Sequence, residues 1–133
     1  MRYLLDTNVW ITYFKARWTP VRGRLESTPA TDLSVCSIVW AELLHGATKY
    51  DDPLERRARV EAALNPLANF HFDLDAAHEY ARIRDYLERQ GNLIGGNDLM
   101  IAAIALAHDL TVVTHNSGEF TRVPGLRVED WSV

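Results

Sequence analysis

The sequence predicts an α/β fold: a three-layer α/β/α sandwich around a mostly parallel central sheet. Three observations carry that expectation. Short apolar runs with strand character alternate with segments of helical apolar spacing, the pattern of parallel strands joined by helical crossovers. The stretch Leu99 to Ala107 is apolar on every side, so its helix belongs in the middle of the protein. The chain has 133 residues and 47% hydrophobic content, enough for one compact core and too short for two ordinary domains, so residues 1–133 are read as a single domain.

In chain order, Arg2 to Leu5 reads as a short strand that ends at Asp6. A helix from about Asn8 to Arg17 follows, then a second short helix around Val21 to Ser27. Leu33 to Cys36 is the second strand. Ser37 is placed as the N-cap of a helix running to about Lys49, because a serine side chain accepts from the first free backbone N–H groups. Pro53 suits the first turn of another helix through about Leu64, where its missing N–H costs nothing. Asn69 to Phe72 is the third strand, after which Ala77, Tyr80, Ile83 and Leu87 recur at helical spacing up to a stop at Gly91. Asn97 opens the apolar helix, with Asn97 as its candidate cap. Thr111 to Thr114 is a buried strand, and Leu126 to Val128 a short last strand before Trp131.

Composition excludes several function classes. The N-terminal apolar run stops at Asp6, far short of the roughly 7–15 residues of a secretory core, and no stretch reaches the roughly 18 residues of a membrane span. A cytoplasmic location with no membrane partner is expected. Cys36 is a single cysteine in an apolar run and is read as structural. The histidines His45, His71, His78, His108 and His115 are scattered singly, without zinc-ligand spacing. A net charge of −4 argues against a nonspecific nucleic-acid binder, unless bound cations reverse the sign of one cleft. Apart from Lys15 and Lys49, every basic residue is an arginine, whose planar fork suits phosphate.

The acidic residues are the informative ones. Asp6 ends the first strand, where an open α/β sheet places its ligands, although Asp6-Thr7-Asn8 is also good capping chemistry. Glu42 has Ile38, Val39, His45 and Gly46 as helical neighbours, so its carboxylate sits on a mostly apolar or small face and Gly46 leaves room beside it. Asp98 opens the apolar helix after Gly95-Gly96-Asn97, a position that also complements a helix dipole. Asn116 and Glu119 follow the last central strand. Acidic groups converging on one sheet edge repel unless cations neutralise them. Oxygen-only ligation selects hard cations, Mg²⁺ or Mn²⁺. Two such ions about 3.5–4 Å apart can activate a water and stabilise the leaving oxygen in phosphodiester cleavage.

Leu4-Leu5-Asp6-Thr7-Asn8, Ser37-Ile38-Val39-Trp40-Ala41-Glu42-Leu43-Leu44-His45-Gly46, Asn97-Asp98-Leu99-Met100-Ile101-Ala102-Ala103 and Val113-Thr114-His115-Asn116-Ser117-Gly118-Glu119-Phe120 resemble, in order and spacing, the motifs of VapC-type PIN-domain toxins. The ending from Arg122 to Trp131 is also similar to many of them. The resemblance covers essentially the whole chain and implies a PIN-like fold. It further implies a metal-dependent endoribonuclease, the toxin of a type II toxin–antitoxin pair, with Asp6, Glu42 and Asp98 as catalytic metal ligands, directly or through water. The family often has an aspartate where this chain has Asn116. The fourth position is therefore open between Asn116 and Glu119, with Glu119 also a catalytic candidate. Thr7, Asn8 and Thr114 are candidates for holding the carboxylates in place.

The same resemblance implies structured RNA, with tRNA first, as substrate, cut to leave 5′-phosphate and 3′-hydroxyl ends. It also implies a VapB-type antitoxin, a homodimer, and contact with operator DNA only through the antitoxin. Trp10, Tyr13, Phe14 and Trp18 make the first helix apolar beyond a single stripe and are the candidate partner-binding residues, the alternative being a deeply buried helix. Arg22, Arg24, Arg56, Arg57 and Arg59 are candidate RNA contacts. A haloacid-dehalogenase-like phosphatase also begins with a strand and an aspartate, but needs a second aspartate where this chain has Asn8. The other rival is a catalytically inactive PIN scaffold that binds RNA or a protein.

Overall fold

The computed structural model describes residues 1–15 and 18–133. In chain order the elements are β1 (Tyr3–Leu5), α1 (Thr7–Lys15), α2 (Pro20–Ser27), a 3-10 turn (Ala30–Asp32), β2 (Leu33–Cys36), α3 (Ser37–Ala47), α4 (Pro53–Leu64), β3 (Ala68–Phe70), α5 (Leu74–Arg89), α6 (Gly96–Ala107), β4 (Thr111–Val113), α7 (Ser117–Phe120) and β5 (Val128–Glu129). The expected end of the first helix at Arg17 lies outside the described residues.

Five parallel strands form one sheet in the order β3-β2-β1-β4-β5, and the helices pack on it as an α/β sandwich. The chain builds outward from β1 to β2 and β3, then crosses back to lay β4 and β5 on the other side of β1. That reversal makes the carboxyl ends of β1 and β4 the switch point of the sheet, the place where open α/β folds bind ligands.

The core runs through β1, β2 and β4, whose Leu4, Leu5, Val35, Val112 and Val113 are fully buried. α6 packs along α5 and also meets α3 and β4. Enclosure on several sides explains why Leu99 and the run Ile101 to Ala105 are all buried and why this helix shows no polar face. α1 lies against α2 and α3. Its Trp10 stacks on Phe14 with centroids 6.1 Å apart, and the Trp10 indole N–H is buried without a hydrogen-bond partner among the described residues.

Element boundaries differ from the sequence expectation where a backbone cap decides them. Ser37 is the first residue of α3 rather than its cap, and α3 ends at Ala47, where the Thr48 N–H and hydroxyl both turn back to the His45 carbonyl. β3 stops at Phe70 because Asp73 caps α5, its carboxylate accepting from the Ala76 N–H at 2.8 Å. That cap also starts α5 at Leu74, three residues before the apolar periodicity becomes visible. Asn97 lies inside α6, and the cap position belongs to Gly95 without a side-chain bond. The last strand is Val128–Glu129, shifted toward the carboxyl end by the turn at Gly125, whose φ of +82° favours glycine. The expected stop at Gly91 fits its φ of +64° just beyond α5.

Candidate metal centre

Asp6 leaves β1 at the switch point, its N–H donating to the Val113 carbonyl across the sheet. Its side chain is 5% exposed. Oδ1 accepts from the Thr7 N–H at 2.8 Å and Oδ2 from the Thr114 hydroxyl at 2.9 Å, so the carboxylate is held from both sides. Burial pushes the Asp6 carboxyl above its ordinary range, against the pull of those two donors.

The Thr114 hydroxyl also accepts from the Asn116 N–H at 2.9 Å, so one hydroxyl ties the loop after β4 to Asp6. Replacing Thr114 with valine keeps the shape and removes both bonds. The expected cost is about 1–3 kcal/mol of stability, read from urea unfolding, because buried partners are left unmet. Thr7 does similar work for α3, its hydroxyl donating to Glu42 Oε1 at 2.8 Å.

Asp98, in the first turn of α6, is half-buried. Its carboxyl is pushed up to about 7, first by burial, then by the charge of Asp6, by hydrogen bonding and charge from Glu119, and by the charge of Glu42. The Asn116 side-chain amide donates to Asp98 Oδ2 at 3.2 Å. Asp6, Glu42, Asp98 and Glu119 thus share one electrostatic environment at the carboxyl edge of β1 and β4. Asn116 enters it as a donor to Asp98.

Among the described residues, no three His, Cys, Asp or Glu side chains close tightly enough to cage an ion by themselves. The donor chemistry still fits a hard cation. Magnesium keeps several waters and is commonly held by one or two carboxylates plus a substrate phosphate, which is the kind of open, all-oxygen set assembled here.

Sequence reasoning missed His115, Asp130 and Thr12. The His115 ring faces the Thr12 hydroxyl at 3.2 Å through Nε2 and Asp130 at 3.4 Å through Nδ1, while its backbone N–H donates to Asn8 Oδ1. Asn8 therefore braces the loop after β4 rather than an acidic side chain. Nothing in a lone histidine signals this bridge between α1 and the C-terminal segment.

Two other groups of candidates sit deeper than a free surface. Trp10 and Phe14, candidates for a partner surface or for a deeply buried helix, are 1% and 7% exposed and belong to the core, as the second reading has it. Trp18 is 76% exposed and Tyr13 half-buried. Arg56, a candidate RNA contact, is buried rather than on the open surface, its guanidinium 4.7 Å from the Phe14 ring centroid and 4.2 Å from that of Tyr50. Arg22 stacks on Tyr13 and donates to its carbonyl, and Arg59 donates to the Phe14 carbonyl. Arg24 pairs with Glu129 and Arg57 with Glu61, exposed pairs each worth about 0–1 kcal/mol that a phosphate can displace.

A family model described as PIN domain matches residues 3–126. The chain is 36% identical over 132 residues to the tRNA(fMet)-specific endonuclease VapC of Shigella flexneri, covering 99% of both chains. The chain belongs to the PIN-domain family, among its VapC-type toxins. Two solved VapC-type complexes share its fold. One is the DNA-bound VapBC from Salmonella typhimurium, with TM-score 0.90, 37% identity and 98% of each chain covered. The other is VapBC2 from Rickettsia felis bound to a DNA fragment from its promoter, with TM-score 0.89 and 34% identity, covering 98% of this chain and 99% of that one. The acidic edge described above is thus built on a VapC-type PIN scaffold.

Proposed function

We propose that the chain is a divalent-metal-dependent endoribonuclease, the toxin of a toxin–antitoxin pair, which hydrolyses a phosphodiester bond of structured RNA and acts on tRNA. One observation carries the reading: Asp6, Glu42, Asp98 and Glu119 crowd the switch point of the sheet, with Thr7, Thr114 and Asn116 bonded to three of them. The tRNA assignment draws on the printed name of the relative from Shigella flexneri.

Asp6, Glu42, Asp98 and Glu119 would hold Mg²⁺ or Mn²⁺, one or two carboxylates to an ion. When bound, a pair of such ions supplies an activated water and offsets charge on the phosphate. Thr7 and Thr114 donate to both oxygens of Asp6, and Thr7 to one oxygen of Glu42, which fixes the orientation of the two carboxylates and of their remaining lone pairs. Asn116 orients Asp98 and removes the charge that an aspartate would add, leaving Glu119 as the fourth acid.

The solved relatives are toxin–antitoxin complexes on DNA, which supports a VapB-type antitoxin as partner and operator DNA reached through it. A groove of about 390 Å³ lined by Tyr13, Phe14, Arg22, Arg59, Ala62 and Ala63 fits a segment of that partner. We read the toxin as a homodimer in that assembly.

The test is incubation with bulk tRNA, followed by mapping of fragment ends. Cutting with Mg²⁺ or Mn²⁺, none in chelator, and new 5′-phosphate ends are expected. Binding without any metal-dependent cutting would instead identify a catalytically inactive scaffold.

A further inference from the structure

Beside the acidic cluster, a cavity of about 170 Å³ opens between α1, α3 and α4, with Lys15, Glu42, Leu43, Gly46, Tyr50 and Arg56 in its lining. Arg56 is the unusual member. It is 5% exposed, and among the described residues no hydrogen bond or ion pair reaches its guanidinium. The ring faces of Phe14 and Tyr50 meet it, and the charges of Arg59 and Glu55 act on it. A ring face answers the charge but not the directional N–H donors of a guanidinium, which stay available to an anion. Arg56 lines the cavity, so an anion held there is within reach of its side chain.

Lys15, exposed at the end of α1, adds a second cation to the same lining. Glu42, part of the acidic cluster, forms another part of the wall. The cavity therefore joins a cationic end to the carboxylates that would hold the metal. Its small volume excludes a folded segment of protein, and a planar guanidinium matches the paired oxygens of a phosphate.

We infer that this cavity is a second phosphate subsite, in which Arg56 and Lys15 take a backbone phosphate of the RNA next to the one that is cut. The inference rests on the endoribonuclease reading and adds a residue that positions the strand.

Bulk tRNA binding is measured in chelator by filter retention over a series of salt concentrations, for the native chain, Arg56→Gln, Arg56→Lys, Lys15→Gln and Gly46→Leu. Losing one phosphate contact makes the plot of log affinity against log salt shallower by about 0.7–1. That change is expected for Arg56→Gln and Lys15→Gln, while Arg56→Lys keeps the slope at lower affinity. A Cβ at Gly46 meets no atom within 4 Å and Gly46 lines the cavity, so a leucine there starts without a backbone clash and takes up cavity space. Gly46→Leu is expected to lower RNA affinity about tenfold with a melting temperature no lower than native, since leucine is the better helix former. In Mn²⁺, KM should rise in these variants more than kcat falls.

If Arg56→Gln does not fold, Lys15→Gln and Gly46→Leu decide. Native slope and affinity in all folded variants would overturn the subsite while leaving the nuclease intact, since the native chain still cuts. Unchanged RNA binding with weakened antitoxin binding would also overturn it, assigning the cavity to an acidic peptide. A native chain that neither binds nor cuts RNA would bring down both readings.

Discussion

Asp98→Asn is expected to lower RNA cleavage at least about a thousandfold, roughly 4 kcal/mol of transition-state stabilisation, while the chain stays folded. The asparagine keeps the size of the side chain, and its carbonyl can still accept from the Asn116 amide that now donates to Asp98. What it removes is a charge that Asp6, Glu42 and Glu119 already oppose. The same change is expected to stabilise the metal-free protein at pH 8, so activity and stability should move in opposite directions, as they do where a strained site serves function. Initial rates on bulk tRNA together with melting temperatures in chelator read both effects. A variant retaining most of the native rate would contradict the assignment of Asp98.

The metal-free protein is expected to lose stability as pH rises from about 5 to about 8. In the fold Asp98 holds its proton up to about 7, whereas its ordinary value is 3.8. Between those limits the folded chain binds more protons than the unfolded chain, so each step up in pH favours unfolding. Asp6 is shifted in the same direction. Asp73 and Asp130 are held low by hydrogen bonds, and their stabilisation is lost only on acidification below the ordinary carboxylate range, outside this window. Melting temperatures in chelator should therefore be higher at pH 5 than at pH 8, with the gap narrowed in Asp98→Asn. Saturating Mg²⁺ at pH 8 should restore the loss, because a ligand that binds only the folded form stabilises it. A melting temperature that rises with pH in chelator would contradict the account of crowded carboxylates.

The fold was legible wherever one physical signal decided an element. Proline set the start of α4 at Pro53, and the unbroken apolar surface of α6 announced its central place. Caps made by a single side chain were harder to read. Asp73 starts α5 and truncates β3 through one hydrogen bond that periodicity does not register. In the site, the acidic residues stood out because a carboxylate at a strand end or on an apolar helix face demands a partner. Thr7 and Thr114 were legible as neighbours of those positions. The bridge from His115 to Thr12 and Asp130 was not, since it depends on how the C-terminal segment returns beside α1. The first helix misled for a related reason. Its aromatic residues looked sufficient for a surface, but α1 packs against α2 and α3 with Trp10 buried, and Arg56 from α4 reaches across to stack on Phe14.

The most direct measurement is a calorimetric titration of Mn²⁺ into the native protein, Glu42→Gln and Asp98→Asn at pH 8. Heat of binding in the native chain that is lost or greatly weakened in both variants is the expected result. Identical isotherms for all three proteins would show that these carboxylates do not hold the cation, and the proposed chemistry at the switch point would fall with them.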